Sequence, residues 1–440
     1  MPQSSQINLN LNYAKQVFDV QKEFTENLSQ FVAAKKKLFE KTGVGSEFTD
    51  WVSYVKNAAQ TALEQQEKLV QEIKSHSNAL VVVGIGGSLL GTKAVYEAFT
   101  SSYPTQSNKN APSKPVLFWA GHHLFPEYYD ELCLGLEGYS PSIVVISKSG
   151  GTTEPALAFR ILKRYLENRF GESEAKKRIV IITDAHSGTL LSLAKENNYP
   201  TLSIPAGIGG RYSVFTPVGL FPLAFAGMNM SQFILGACHV YEYNCDEKND
   251  TFEKNMALCY AALRNGLYKK NYKIEALCSW TPKTQGVAEW WKQLFGESDG
   301  KNGTGLFPAS VQLTTDLHSL GQYFQEGERH LFATHLKFNK KYSGVVPSSS
   351  RPDGFEFLSG KELSFVQEKA QEGTFMAHTQ GKMPVLVWEI PELNEYWLGA
   401  FLYTNMLACA IGGYARDINP FNQPGVENYK KNMFALMGKY

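Results

Sequence analysis

The sequence predicts an α/β protein: two doubly wound, mainly parallel sheets in α-β-α sandwiches, with a helical segment ahead of the first and a loop and short helix after the second. Two observations carry this. Short apolar runs of strand length alternate with helical stretches twice along the chain, from about residue 80 to 204 and again from 274 to 412. The run Ile143, Val144, Val145, Ile146 is apolar at every position, as a strand buried on both faces of a parallel sheet must be. At 440 residues, 43% hydrophobic and 13% aromatic, the chain has material for two or three domains with large cores.

The first stretch, 12–75, is helical in pattern. Tyr13, Val17, Phe24, Leu28, Phe31 and Leu38 recur near helical spacing, and Thr49 or Asp50 can cap a further helix carrying Trp51, Val52, Val55, Leu63 and Val70. No chemistry shows there, and these helices are expected to brace the first sheet. The units read as an N-terminal helical segment (1–48), a first sheet domain (49–240), a second (241–412) and a C-terminal loop and helix (413–440).

Strands are expected at 80–85, 116–119, 143–146, 179–182 and 201–204. The first strand ends in Gly84-Ile85-Gly86-Gly87-Ser88-Leu89-Leu90-Gly91. A dinucleotide fingerprint needs a third glycine where Leu89 stands, and a P-loop needs lysine where Thr92 stands, so neither fits. A glycine turn remains, with Ser88 entering the next helix at the sheet edge where ligands of such folds bind. The third strand runs into Ser147-Lys148-Ser149-Gly150-Gly151-Thr152-Thr153-Glu154-Pro155. Hydroxyls, free backbone N–H groups and a helix start converge there, which suits a phosphate; an ordinary capped βα turn would use the same residue types. A third turn, Ala206-Gly207-Ile208-Gly209-Gly210-Arg211-Tyr212-Ser213, sets a permanently charged guanidinium among glycines, which suits an anion or a developing oxyanion.

After a helical bridge at about 217–270, strands are expected at 274–279, 309–313, 331–334 and 385–390, with helices at 284–295, 317–325, 363–379 and 393–412. Two residues there suit proton chemistry. Glu297 ends an apolar helix holding Trp290, Trp291, Leu294 and Phe295, surroundings that can push a carboxyl towards neutrality, and His318 opens the next helix. Composition and spacing alone favour plainer readings, a solvated helix-end charge and a surface histidine. Near the C-terminus, Asn422 or Gln423 can precede a helix with Pro424 in its first turn and Lys430 about two turns in.

Charge excludes some function classes. With 43 basic and 42 acidic residues the net charge is +1, which gives no footprint for nucleic acid or an anionic membrane surface. The six cysteines show neither CxxC nor zinc-ligand spacing, as expected of reduced thiols in the cytoplasm. The N-terminus lacks a basic-then-apolar signal pattern, and no apolar run is expected to span a membrane. The chain is therefore expected to be soluble and cytoplasmic.

Five blocks taken in order resemble the phosphoglucose isomerase family: Val83 to Ser88; Ile146 to Gly150 with Thr152; Gly209 to Ser213; Gly296-Glu297-Ser298 with Gly300-Lys301; and Phe421-Asn422-Gln423 with Gly425-Val426-Glu427 and Lys430. The length resembles the shorter bacterial branch. The resemblance implies two sugar-isomerase (SIS) domains that interconvert glucose 6-phosphate and fructose 6-phosphate through a cis-enediol(ate), without metal or other cofactor. It implies that Ser147, Ser149 and Thr152 hold the phosphate, with Gly87, Ser88, Lys148 and Gly210 beside it and Gln423 lining the sugar site. Glu297 would be the base between C2 and C1, Arg211 would stabilise the intermediate, and His318 with Lys430 would open the ring. The histidine of this family comes from the neighbouring subunit, so a homodimer with composite sites is implied. One departure is Arg416, which stands where the family's C-terminal signature usually has an apolar residue. A non-catalytic sugar-phosphate sensor would need the phosphate loop but not Glu297, Arg211 and Lys430 together.

Overall fold

The computed structural model describes residues 6–101, 115–339 and 343–438. It opens with a strand the sequence did not announce, Asn8–Asn10 (β1). Three residues, two of them Asn, carry no strand signal; what holds them is tertiary. Asn8 and Asn10 both donate side-chain hydrogen bonds to the Glu389 carboxylate (3.1 and 3.0 Å), while Leu9 pairs with Trp388.

The first sheet consists of Ala79–Val83 (β2), Val116–Ala120 (β3), Pro141–Ile146 (β4), Ile179–Asp184 (β5) and Thr201–Ile204 (β6). Their order is β3-β2-β4-β5-β6, and every pair is parallel. Alternate residues face opposite helix layers, which is why the central strands β2, β4 and β5 are mostly apolar, whereas β6 at the edge carries Thr201 and Ser203 and is partly exposed. Val81, Val83, Ile143 and Val145 pack with Phe159 and Leu162 of the helix Thr153–Phe170, whereas Leu80, Val82, Val144 and Ile146 pack with Ile73, Phe221 and Phe225.

The second sheet holds Ile274–Ser279 (β7), Phe307–Gln312 (β8), Leu331–Phe338 (β9) and Val385–Ile390 (β10). The order is β1-β10-β9-β7-β8, parallel except for β1 at the edge. The expected strands are all present, with ends moved by a few residues: β2 stops at Val83, β8 begins two residues early, and β9 runs on to Phe338. The helix expected at 317–325 is a 3-10 turn, Thr315–His318, followed by a short helix, Gly321–Glu326. Near the end, a 3-10 turn over Pro424–Val426 delays the last helix to Glu427–Leu436, so Lys430 sits in its first turn.

One helix corrects the expectation about apolar runs. Glu395–Ala415 is long and apolar enough to cross a membrane by length and composition, yet it is wholly buried within the protein. From Leu398 to Ala415 every residue is buried, so it lacks the polar face that would reveal a globular helix. It belongs to the largest core, shared with Trp290, Trp291, Leu294 and Phe295 of the helix Gln285–Asp299 and with Trp51 and Tyr212. That continuous core sets the second sheet's first helix against the first sheet's turns.

Candidate active site

Parallel strands place their carboxyl ends on one edge, so the turns after β2, β4 and β6 rise side by side. The turns at Gly87 and Gly210 touch backbone to backbone. A Cβ on Gly87 would lie 2.2 Å from Gly210 C and 2.6 Å from the Arg211 N, whereas one on Gly210 would meet the Gly87 Cα at an ordinary 3.6 Å. Ser213 Oγ fastens the pair by donating to Gly210 O (2.7 Å) and to Gly87 O (3.3 Å).

The β4 turn is built by its own hydroxyls. Ser147, buried, accepts from Gly150 N (3.1 Å), and Ser149 Oγ accepts from Gly151 N (3.2 Å). Gly150 has φ +74°, and a Cβ there would strike Leu190 N at 2.6 Å. Thr152 stands at the start of the helix Thr153–Phe170 without a side-chain capping bond, so the first N–H groups are open to an anion. Lys148 does not reach out. Its ammonium donates to Ala206 O (2.7 Å), tying this turn to the third one, and burial holds its pKa below the usual lysine value.

Arg211 is 3% exposed and every donor of its fork is engaged. Nε donates to Ser298 Oγ (2.9 Å); Nη1 donates to Glu297 Oε2 (3.1 Å) and Gln423 Oε1 (3.3 Å); Nη2 donates to Pro420 O (2.5 Å) and Asn422 O (3.4 Å). One side chain thus joins the first sheet's edge, the helix that bears Glu297 and the C-terminal loop. The other Glu297 oxygen accepts from Gln293 Nε2 (3.0 Å), one helical turn back. The apolar face of that helix, with Trp290, Trp291, Leu294 and Phe295, turns into the core, while the carboxylate faces these polar partners at the rim.

The last turn of this helix is held from below. Lys301 Nζ donates to Glu297 O (2.9 Å) and Ser298 O (3.0 Å), and burial together with the Arg211 charge lowers its pKa to about 8. Asp299, two residues beyond the carboxylate, is clamped by Arg264 Nη1 (2.8 Å) and Arg416 Nη2 (2.5 Å). Arg416 therefore has a local reason: it replaces an apolar neighbour with a charge that Asp299 compensates. Gln293 and Asp299 were not singled out from sequence, and Ser298 and Lys301 stood in a family block without a role, although Gln293 is four residues before Glu297, the spacing at which helix side chains meet.

Gly87, Gly210, Arg211, Glu297 and Gln423 are brought together, and the Ser147–Thr152 turn shares their sheet edge. Two expected residues stand apart within the chain. His318 is exposed just past the carboxyl end of β8, whereas Glu297 sits where the chain returns to the start of β8. A six-residue strand, about 20 Å, separates those two edges. Lys430 is partly exposed and pairs with Glu427 of its own helix (3.2 Å). Among the described residues, no group of three or more His, Cys, Asp or Glu is disposed to hold a metal ion.

The sequence profile of the phosphoglucose isomerase family matches residues 13–329. The glucose-6-phosphate isomerase of Alkaliphilus metalliredigens is 45% identical over 408 residues, covering 92% of this chain and 90% of that one. Among solved structures, a hypothetical protein of Thermus thermophilus superposes with a TM-score of 0.85 at 22% identity, over 98% of this chain and 100% of that one. A glucose-6-phosphate isomerase of Chlamydia trachomatis superposes with a TM-score of 0.72 at 20% identity, over 86% of this chain and 73% of that one.

Proposed function

The chain belongs to the phosphoglucose isomerase family and interconverts glucose 6-phosphate and fructose 6-phosphate; from that premise we propose how its residues divide the reaction. The observation that carries the proposal is the contact between a buried Arg211 and the rim carboxylate of Glu297, 3.1 Å apart beside the glycine turns of the first sheet.

The sugar phosphate enters with its phosphate on Ser147, Ser149 and Thr152, at the start of the helix Thr153–Phe170. Gly87, Ser88, Lys148 and Gly210 shape the neighbouring turns, and Lys148 acts through the carbonyls it ties together. Held there, the substrate presents C1 and C2 to the junction. Glu297 takes the proton from C2 of the open-chain aldose and returns it at C1, and the reverse reaction retraces this path. Deprotonation beside the carbonyl makes an enediolate, whose negative charge requires fixed positive charge nearby. Arg211 supplies it, and its own contacts pre-organise the guanidinium so that no reorientation is needed when the charge develops. Gln423, already on the same Nη1, lines the sugar site.

Ring opening precedes proton transfer and needs one proton delivered to the ring oxygen and another removed from the anomeric hydroxyl. His318 and Lys430 have suitable groups. The separation of His318 from Glu297 within one chain supports a homodimer in which each site receives the partner's histidine. The same reading divides the chain into SIS domains at 49–240 and 241–412, and assigns the enzyme to the cytoplasm, where it serves glycolysis and gluconeogenesis.

The phosphate assignment is tested by Ser147→Ala combined with Thr152→Ala. Losing two hydrogen bonds to a charged group should raise KM for fructose 6-phosphate about tenfold or more while kcat changes little. An unchanged KM would remove the phosphate from this turn.

A further inference from the structure

The second sheet repeats the winding of the first. In the first, β2 is central, the next strand lies on one side, and the following two add on the other, giving β3-β2-β4-β5; in the second, the same sequence of steps gives β8-β7-β9-β10. In each sheet the chain reverses direction at the point between the first strand and its third, where a crevice opens outside the carboxyl ends. In the first sheet that point, between β2 and β4, carries the proposed phosphate site. The second sheet has its own crevice at the corresponding place, a cleft of about 440 Å³ between the ends of β7 and β9. None of the active-site residues described above lines it, and Glu297 lies at the sheet's other edge.

Its walls are suited to a phosphorylated small molecule. Trp280 and Phe338 form an apolar side, and Lys283 and Lys337 bring two ammonium groups. Lys337 is balanced by Glu368 at 3.8 Å, but Lys283 meets only the carbonyl of Thr100 (3.1 Å) and no carboxylate among the described residues. One positive charge is therefore left over. The helix Leu363–Gln380 begins at the cleft with no side-chain cap on its first N–H groups, as the helix Thr153–Phe170 does at the first crevice. A separate feature points to a ligand. Gln371 lines the cleft at 6% exposure, and its amide makes no hydrogen bond with any described residue. The residue is almost wholly covered, yet its amide is not among the buried unpartnered atoms, so it stays open to the cleft, where a ligand can take up its hydrogen bonds. The wall is fastened in place, since Gln367 donates to Trp280 O (3.1 Å) and Trp280 Nε1 donates to His335 Nδ1 (3.1 Å).

We propose that this cleft is a second anion site, which takes the phosphoryl group of a small phosphorylated metabolite between Lys283 and the Gln371 amide. Its carbon skeleton lies against Trp280 and Phe338. The site is separate from the catalytic one, so its occupancy can report metabolite level without competing with substrate.

The test uses the full chain carrying Ser147→Ala and Thr152→Ala, which removes the phosphate turn of the first sheet from the measurement. Titration calorimetry with inorganic phosphate at constant ionic strength should still give a binding isotherm, and a second titration with glucose 6-phosphate shows whether a phosphomonoester binds more tightly than the free ion. Adding Gln371→Leu or, separately, Lys283→Met should weaken binding about tenfold or more. Two substitutions on different elements guard against one that misfolds, which circular dichroism would detect. Absence of phosphate binding by the Ser147→Ala, Thr152→Ala chain overturns the proposal, as does binding that neither added substitution weakens. Those results leave the catalytic reading untouched, because that reading rests on KM in the chain with an intact cleft.

Discussion

The contact between Gly87 and Gly210 permits an asymmetric experiment. A methyl group on Gly87 would stand 2.2 Å from Gly210 C and 2.5 Å from its carbonyl oxygen, whereas a methyl on Gly210 meets the Gly87 Cα at 3.6 Å. Ordinary carbon contacts are about 3.5–4.0 Å, so Gly87→Ala must push two backbone segments apart by more than 1 Å and Gly210→Ala need move nothing. Neither glycine has a positive φ, so the difference is steric alone. Overpacking of this kind costs about 1–3 kcal/mol. The displaced atoms lead directly into Arg211, and a misplacement of about 1 Å at a reacting site can cost on the order of a hundredfold in rate. Steady-state kinetics with fructose 6-phosphate, together with urea unfolding, should show Gly87→Ala losing about two orders of magnitude in kcat/KM, with Gly210→Ala within a few-fold of the parent. Equal effects from the two alanines, or a near-normal Gly87→Ala enzyme, would refute the reasoning.

The charge cluster beneath the site should be structural in its effects. Arg264, Glu275 and Asp299 are all nearly inaccessible to solvent, so Arg264→Met leaves buried carboxylates short of a partner and should lower stability by about 3–5 kcal/mol in urea unfolding; a loss below about 1 kcal/mol would contradict it. Acid should weaken the fold through its buried histidines. His378 has a folded pKa of about 4, lowered from 6.5 by burial and by the Arg329 charge. Between those values the unfolded chain binds the extra proton, so this group's contribution is present in full above about pH 6.5 and is lost as pH falls towards 4. Urea midpoints at pH 7 and pH 5 should differ less in His378→Leu than in the parent, and an unchanged difference would remove His378 as a cause.

Much of the first sheet was legible because its central strands are mostly apolar and its turns are rich in glycine and hydroxyls. The strand β1 was not, since its pairing depends on Glu389, almost the whole chain away. The helix Glu395–Ala415 gave no amphipathic period because all its sides meet protein. At the site, Arg211, Glu297 and Gln423 were chosen by motif, and the structure puts them on one guanidinium. Gln293 escaped, and Lys301 was given no role, because a glutamine and a lysine near a helix end look solvated until their partners are known. Arg416 looked anomalous in sequence, yet Asp299 explains it in one contact. His318 stood out as a candidate for proton chemistry but took its ring-opening role only from the family pattern, and a single chain gives it no neighbour from the site.

The central claim is that Glu297 carries the proton between C2 and C1, and hydrogen exchange tests it without relying on net turnover. In deuterated water the parent enzyme should place solvent deuterium at C1 of fructose 6-phosphate, whereas Glu297→Gln should bind the sugar with a similar KM and lose about two to four orders of magnitude in both exchange and kcat. Exchange by Glu297→Gln at near the parent rate would show that another group moves the proton.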